Sequence, residues 1–382
     1  VKLMVIGCGQ CGGRIADQFA LLGKNARRQR GISIVSNVLA VNTDIADLSG
    51  LVHIKADYKH RILIGSRKTS GHGVGKLNEL GAQLAREDGD KILDSIRETR
   101  LLQDTDAFLL IAGASGGTGS GAIAVLTKMI KERFVDKPVY NMIVLPFNYE
   151  ETTEERTIYN VGTCLKSAYG VADAVILADN QRYVRDASSI SDNFSKINYR
   201  FVEPFYNILS AGEETNPRYI GSKVLDAGDI IQTLSGWTVI GHSKIASSFL
   251  PFRLDFRGKH AETQKGAQAM EDAIAELSLK CRPEDARRAL YLLSAHPNKM
   301  SIDIIKELSA TLRDNAKHAI IRSGDYPRGD NMGVTVIMSE ISSPKKVMDY
   351  FDRTIRFISL DKRLSQGFNV EDAFGSIPSL LD

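Results

Sequence analysis

The chain has 382 residues, 43% of them apolar, with a mean hydropathy of −0.15, which is room for two or three domains with sizeable cores. Its 49 basic and 46 acidic residues leave a formal charge of only +3, which excludes a strong basic field for nucleic acid or anionic membrane as its organising feature. There is no continuous apolar run of the roughly 18 residues that a membrane span needs, no signal-peptide pattern at the start, and the few cysteines suit a reducing compartment; the expectation is a cytoplasmic protein.

The first half alternates short apolar runs with helical patterns. Residues 3–6, 38–41, 108–111, 142–145 and 174–177 are apolar without polar alternation, as in strands covered on both faces. The helical stretches between them predict βαβ crossovers and a parallel, doubly wound sheet. After the first run comes Gly7-Cys8-Gly9-Gln10-Cys11-Gly12-Gly13, opening a helix. It satisfies the G-x-G-x-x-G pattern of dinucleotide binding. The second run leads to Asp44, which lies well past the roughly 20-residue spacing of the ribose-binding acid in that fold. Cys8 and Cys11 form a Cys-x-x-Cys with no second pair to complete a zinc site, and the glycines around them favour a nucleotide loop over redox chemistry.

Two further glycine clusters follow. One is Ser70-Gly71-His72-Gly73-Val74-Gly75. The other is Gly113-Ala114-Ser115-Gly116-Gly117-Thr118-Gly119-Ser120-Gly121, with five glycines in nine residues between a strand-like run and a helical pattern. Such small residues let backbone N–H groups approach an anion, and the helix N-terminus adds unpaired donors and positive partial charge. One or two glycines would signal only a tight turn. Three clusters at strand ends suit a nucleotide with a full set of phosphates, whereas a dinucleotide presents its pyrophosphate to one loop. An NAD(P)-dependent oxidoreductase remains the rival enzyme class.

Beyond a polar stretch at 183–198, a long helix is expected at 199–215, stopped by Asn216-Pro217. A second unit then begins with a strand at 237–240. Helices at 266–279 and 302–315 and strands at 289–294, 319–322 and 333–338 make it α+β. The tail from 362 is polar and expected to be mobile, apart from the apolar tip Ile377-Pro378-Ser379-Leu380-Leu381.

Gly116-Gly117-Thr118-Gly119-Ser120-Gly121 matches the tubulin signature G-G-T-G-S-G, and the chain resembles the tubulin/FtsZ superfamily over essentially its whole length. Gly9-Gln10-Cys11-Gly12 looks like the first loop of tubulins, and Pro146-Phe147-Asn148-Tyr149-Glu150 like the fifth loop of FtsZ. That mixture is similar to the archaeal CetZ group. The resemblance implies a Rossmann-like parallel-sheet GTPase domain (1–198), a central helix and catalytic loop (199–234), an α+β C-terminal domain (235–360) and a flexible tail (361–382) that is a candidate for a protein partner. It implies a cytoskeletal GTPase that binds GTP with Mg²⁺ held through phosphates and water, self-associates into protofilaments and serves cell shape. A division filament and a GTP-binding switch that never polymerises are the alternatives.

The same resemblance implies roles by residue. Gly9, Gln10 and Cys11 would lie against the α- and β-phosphates. Asp44, Gly71, Gly73 and Gly75 would lie near the γ-phosphate and magnesium. Gly113, Ser115, Gly116, Gly117, Thr118 and Gly119 would cradle the phosphates. Arg14 falls near base and ribose. Glu150 would take the ribose with Arg156, since Glu154 occupies the position where FtsZ carries Arg. Asn180, Tyr199 and Glu203 would hold guanine. The last pair also makes chemical sense: guanine offers adjacent N1–H and N2–H₂ donors to a carboxylate, and residues i and i+4 share a helix face. Pro204 disturbs this turn, leaving Asn207 as the other candidate reader. Asp226 and Asp229 match an acid-x-x-acid loop that enters a neighbour's nucleotide site. A 17-residue helix spans roughly 25 Å, so if its start holds the base, these acids face away from their own phosphates.

Overall fold

One continuous ten-stranded sheet organises the computed structural model, which describes residues 1–184, 190–245, 256–328, 332–361, 375 and 377–381. The first half runs β1 (Leu3–Cys8), α1 (Gly9–Arg30), β2 (Val35–Asn42), α2 (Ile45–Ser49), β3 (Arg61–Leu63), α3 (Ser66–Thr69) and α4 (Asn78–Arg97). It continues β4 (Ala107–Gly113), α5 (Thr118–Arg133), β5 (Val139–Leu145), α6 (Asn148–Thr153), α7 (Glu155–Val171) and β6 (Ala174–Asp179). These strands pair in parallel in the order β3-β2-β1-β4-β5-β6. Every residue of β1, β5 and β6 is buried, which is why their sequences do not alternate. The glycine loops after β1 and β4 therefore meet at the carboxyl edge of the sheet, where open α/β sheets bind ligands.

The second half runs α8 (Ile190–Ala211), α9 (Ala227–Thr233), β7 (Gly236–Ile245), α10 (Phe256–Ala275), β8 (Arg288–Ser294), α11 (Ile302–Asn315), β9 (Ile320–Tyr326), β10 (Met332–Ser339) and α12 (Lys345–Asp361). Its sheet is not separate. β7 pairs in parallel with β6 through Ala174↔Gly236, Val175↔Trp237 and Ile176↔Thr238, and then antiparallel with β10. Apolar residues of α1 and α8 share one buried cluster on one face of the sheet, and those of α4, α5 and α7 share another.

Three elements differ from the sequence expectation. The long helix begins at Ile190, not 199, so a domain boundary at 198 would cut through it. Polar residues within 190–198 mimic a loop because Ser, Asp and Asn also populate helix starts. α10 starts at Phe256 and not at 266, and α12, whose Val347, Tyr350, Phe351 and Ile355 are buried, has no counterpart among the predicted elements. The tail tip is not loose: Ile377 and Leu380 are 1% and 4% exposed. The rest of the expected tail, 362–374, lies outside the described residues.

Candidate functional site

The phosphate cradle forms where two chain turns touch. Gly9 has φ +69°, and a Cβ there would lie 2.8 Å from the Gly119 nitrogen; a Cβ on Gly119 would meet the Cys8 carbonyl at 2.6 Å. Only glycine permits this approach. A Cβ on Gly116 would meet nothing within 4 Å, so that backbone faces open space, as an anion cradle requires. Thr118 opens α5, and its hydroxyl is hydrogen-bonded to that of Thr43 at 2.6 Å.

The loop of Gly71, Gly73 and Gly75 folds onto the same end. The Ile45 N–H donates to the Gly71 carbonyl at 3.0 Å and the Gly73 N–H to the Thr43 carbonyl at 3.2 Å. Asp44 caps α2, accepting from Ala46 and Asp47 N–H groups through Oδ1, while its Oδ2 lies on the side facing Gly73. Asp47 takes the Gln10 amide at 2.7 Å on one oxygen and the Asn42 amide at 3.0 Å on the other. Among the described residues no cluster of three acidic, His or Cys groups could hold a metal alone. The site fits Mg²⁺ nonetheless, because that ion is usually held by one or two carboxylates plus substrate phosphates, and Asp44 Oδ2 is an oxygen the helix cap leaves over.

On the opposite side, Ser115 donates its hydroxyl to Glu150 Oε2 at 3.0 Å. Burial pushes the Glu150 carboxyl above its ordinary value, with the Ser115 hydrogen bond opposing. Cys11 lies near enough to feel both Glu150 and Arg14, but burial dominates and pushes its thiol up to about 12; Cys8 is pushed up to about 12 by burial alone. Neither forms a thiolate near neutral pH, so redox chemistry at this Cys-x-x-Cys has no support. Arg14, on the second turn of α1, is exposed at this end.

Arg156 does not join Glu150. It pairs with Glu79 at the start of α4 and lies over the Tyr159 ring at 4.8 Å. The residue that does reach the cradle from α7 is Asn160, missed in the sequence. Its amide donates to the Ser115 and Lys76 carbonyls at 3.0 Å and to Gly116 at 3.2 Å, tying two glycine loops together.

The residues expected at the base fall in different places. Asn180 is buried at the carboxyl end of β6. Asn207, however, accepts from Arg30, the last residue of α1, which starts at Gly9; at 1.5 Å per residue that is about 30 Å from the cradle, beyond a nucleotide's reach. Glu203 is one turn before Asn207 and is paired with Lys244. Tyr199 and Glu203 instead line a cavity of about 420 Å³ with Gln18, Asn25, His242 and Lys244. Because α8 begins at Ile190, the buried Asn198 lies more than one turn closer than Glu203 to the start of the helix.

Residues 2–188 match the Tubulin/FtsZ family GTPase domain, and residues 187–356 match the Tubulin-like CetZ C-terminal domain. The chain belongs to the tubulin/FtsZ family. Within it, the chain is 31% identical over 352 residues to the tubulin-like protein CetZ of Thermococcus kodakarensis, covering 91% of this chain and 84% of that one. It is 30% identical over 354 residues to the tubulin-like protein CetZ3 of Haloferax volcanii, covering 88% and 87%. A GDP-bound monomer of CetZ1 from Haloferax volcanii superposes with a TM-score of 0.80 at 27% identity over 94% of this chain and 100% of that one. A GTPγS-bound protofilament of CetZ2 from the same organism gives 0.80 at 26%, over 96% and 100%.

The carboxylates at 226 and 229 sit elsewhere in this tubulin/FtsZ fold. β7 is parallel to β6, so α9, just before β7, lies at the amino edge of the sheet. Strands of six or seven residues, at about 3.3 Å each, put roughly 20 Å between the two edges. Asp226 caps α9, accepting the Asp229 N–H at 2.7 Å, and Asp229 is ion-paired to Arg322 Nε at 3.1 Å. Asp325 accepts the Ser222 and Lys223 N–H groups and so fixes the chain leading to Asp226. Among the described residues no helix is long and apolar enough to cross a membrane.

Proposed function

We propose that the chain is a cytoplasmic cytoskeletal GTPase that binds guanine nucleotide at the carboxyl edge of its sheet and assembles head to tail, with a role in cell shape. The observation that carries this reading is the separation of phosphate cradle and acidic pair on opposite edges of one sheet: Asp226 and Asp229 can act only on another subunit's nucleotide. Such a heterologous contact builds an open filament when it does not close. The protofilament described for CetZ2 supports the same arrangement here.

Backbone N–H groups of 9–11 and 115–119 hold the phosphates, with Thr118 as an added hydroxyl donor. Asp44 and the loop at 71–75 border the terminal phosphate; Asp44 Oδ2 would help hold Mg²⁺ entering with the nucleotide, which would offset negative charge on the phosphate oxygens. Asp226 and Asp229 of the next subunit orient a water for in-line attack and accept its proton. Arg322 holds Asp229 in place. Asn198 of α8, buried in the free chain, reads guanine through its amide oxygen.

Sedimentation with GTP and Mg²⁺ tests the proposal. Asp226→Asn keeps a helix-capping oxygen, so this variant should bind GTP and pellet as the parent does, with turnover reduced at least about 100-fold, the scale of general acid–base catalysis. Parental turnover in Asp226→Asn and Asp229→Asn together would refute the shared site.

A further inference from the structure

The segment 377–381 packs against α4 and α7 on the flank of the first half of the chain. Ile377 and Leu380, spaced three residues apart, are buried in the apolar cluster that contains Ala85 of α4 and Leu165 of α7, while Pro378 between them is exposed. The groove also reads main chain. Arg86 of α4 donates to the Leu380 carbonyl at 2.6 Å, Lys166 of α7 donates to the Ile377 carbonyl, and the Leu380 N–H donates to Ser167 Oγ at 2.8 Å. Two aliphatic anchors plus main-chain bonds are the elements of short-peptide recognition.

Connectivity does not force the segment there. Phe357, in the last turns of α12, packs on Tyr159 of α7, and only eight residues of helix, roughly 12 Å, separate Tyr159 from Ser167. The thirteen residues 362–374 can extend about 45 Å, more than three times the span. The contacts, not a taut chain, hold the tip.

We propose that the groove between α4 and α7 is a binding site for a short peptide with two aliphatic anchors three residues apart, occupied in cis by residues 377–381. Its ligand class is the chain's own C-terminal segment. A tether of this length gives an effective concentration on the order of 1 mM, so for a peptide Kd of about 0.1 mM the attached tail suppresses binding of a free copy about tenfold.

The test uses the full chain and a fluorescent peptide of residues 375–382. The Ile377→Asp/Leu380→Asp variant, with its groove vacated, should bind the peptide about tenfold or more tighter than the parent does. Adding Arg86→Ala should reduce that binding several-fold, and a peptide with Asp at both anchors should bind neither protein. Equal binding to parent and vacated variant, or none to a vacated variant that melts cooperatively, overturns the proposal. Hydrogen exchange on the parent gives an independent reading: the Leu380 amide should be protected, and Ser167→Ala should expose it without changing global stability. A Leu380 amide exchanging at the free-peptide rate overturns the proposal equally.

Discussion

Replacing Asn160 with Ala should loosen the cradle without touching a phosphate contact. The Asn160 amide is fully buried and serves the Ser115, Gly116 and Lys76 carbonyls, so its two hydrogens make about two full hydrogen bonds. A buried acceptor left unmet costs about 1–3 kcal/mol, and with each loss in the lower part of that range, because the loops relax around the vacated site, losing both bonds comes to about 2–4 kcal/mol. Part of this lowers folding stability and part raises the free energy of the arrangement that binds phosphate. If half falls on binding, GTP affinity drops about 5- to 30-fold, since 1.4 kcal/mol is tenfold. Titration calorimetry with GTP and Mg²⁺, beside a thermal melt, separates the two shares. An Asn160→Ala variant that binds GTP as tightly as the parent would refute the view that this side chain couples the two loops.

Three further outcomes are expected. Glu203→Gln should leave the preference for GTP over ATP within about twofold, because Glu203 is paired with Lys244, whereas Asn198→Ala should lose about tenfold or more; competition binding with both nucleotides decides between them. Arg322→Ala should bind GTP normally and change stability by no more than about 1 kcal/mol, as a half-exposed pair does, yet cut assembly-dependent phosphate release several-fold by freeing Asp229. Burial holds the Glu150 carboxyl above 4.5, so its ionisation costs the folded state nothing at pH below 4.5 and its full penalty above the folded value. Glu150→Gln should therefore raise the nucleotide-free melting temperature at pH 7, and the gain should vanish near pH 4; an equal gain at both would contradict this origin.

The parts of the site that were legible in the sequence are local. The strand–glycine–helix units at Gly9 and Gly116 are decided by neighbours a few positions away, and the non-alternating strands report burial on both faces. The residues missed work at long range: Asn160 reaches 45 positions back to Ser115, Thr43 meets Thr118 75 positions on, and Asp47 meets Gln10 across 37. No spacing rule carries such pairs. Glu203 suits guanine on chemistry alone, but α8 starts nine residues before Tyr199, which puts Glu203 more than three turns into the helix and against Lys244. The docked tip at Ile377 and Leu380 was likewise invisible, because a short apolar pair on a polar tail does not name its groove.

In the function proposed above, Asp226 and Asp229 lie too far from their own cradle to serve it, and hydrolysis depends on contact between subunits. Phosphate release per subunit, measured across protein concentration at saturating GTP and Mg²⁺, tests this most directly. The account predicts near-zero specific activity in dilute protein and a steep rise over the range where the chain begins to sediment. A specific activity that stays constant from dilute monomer to assembled protein would contradict it.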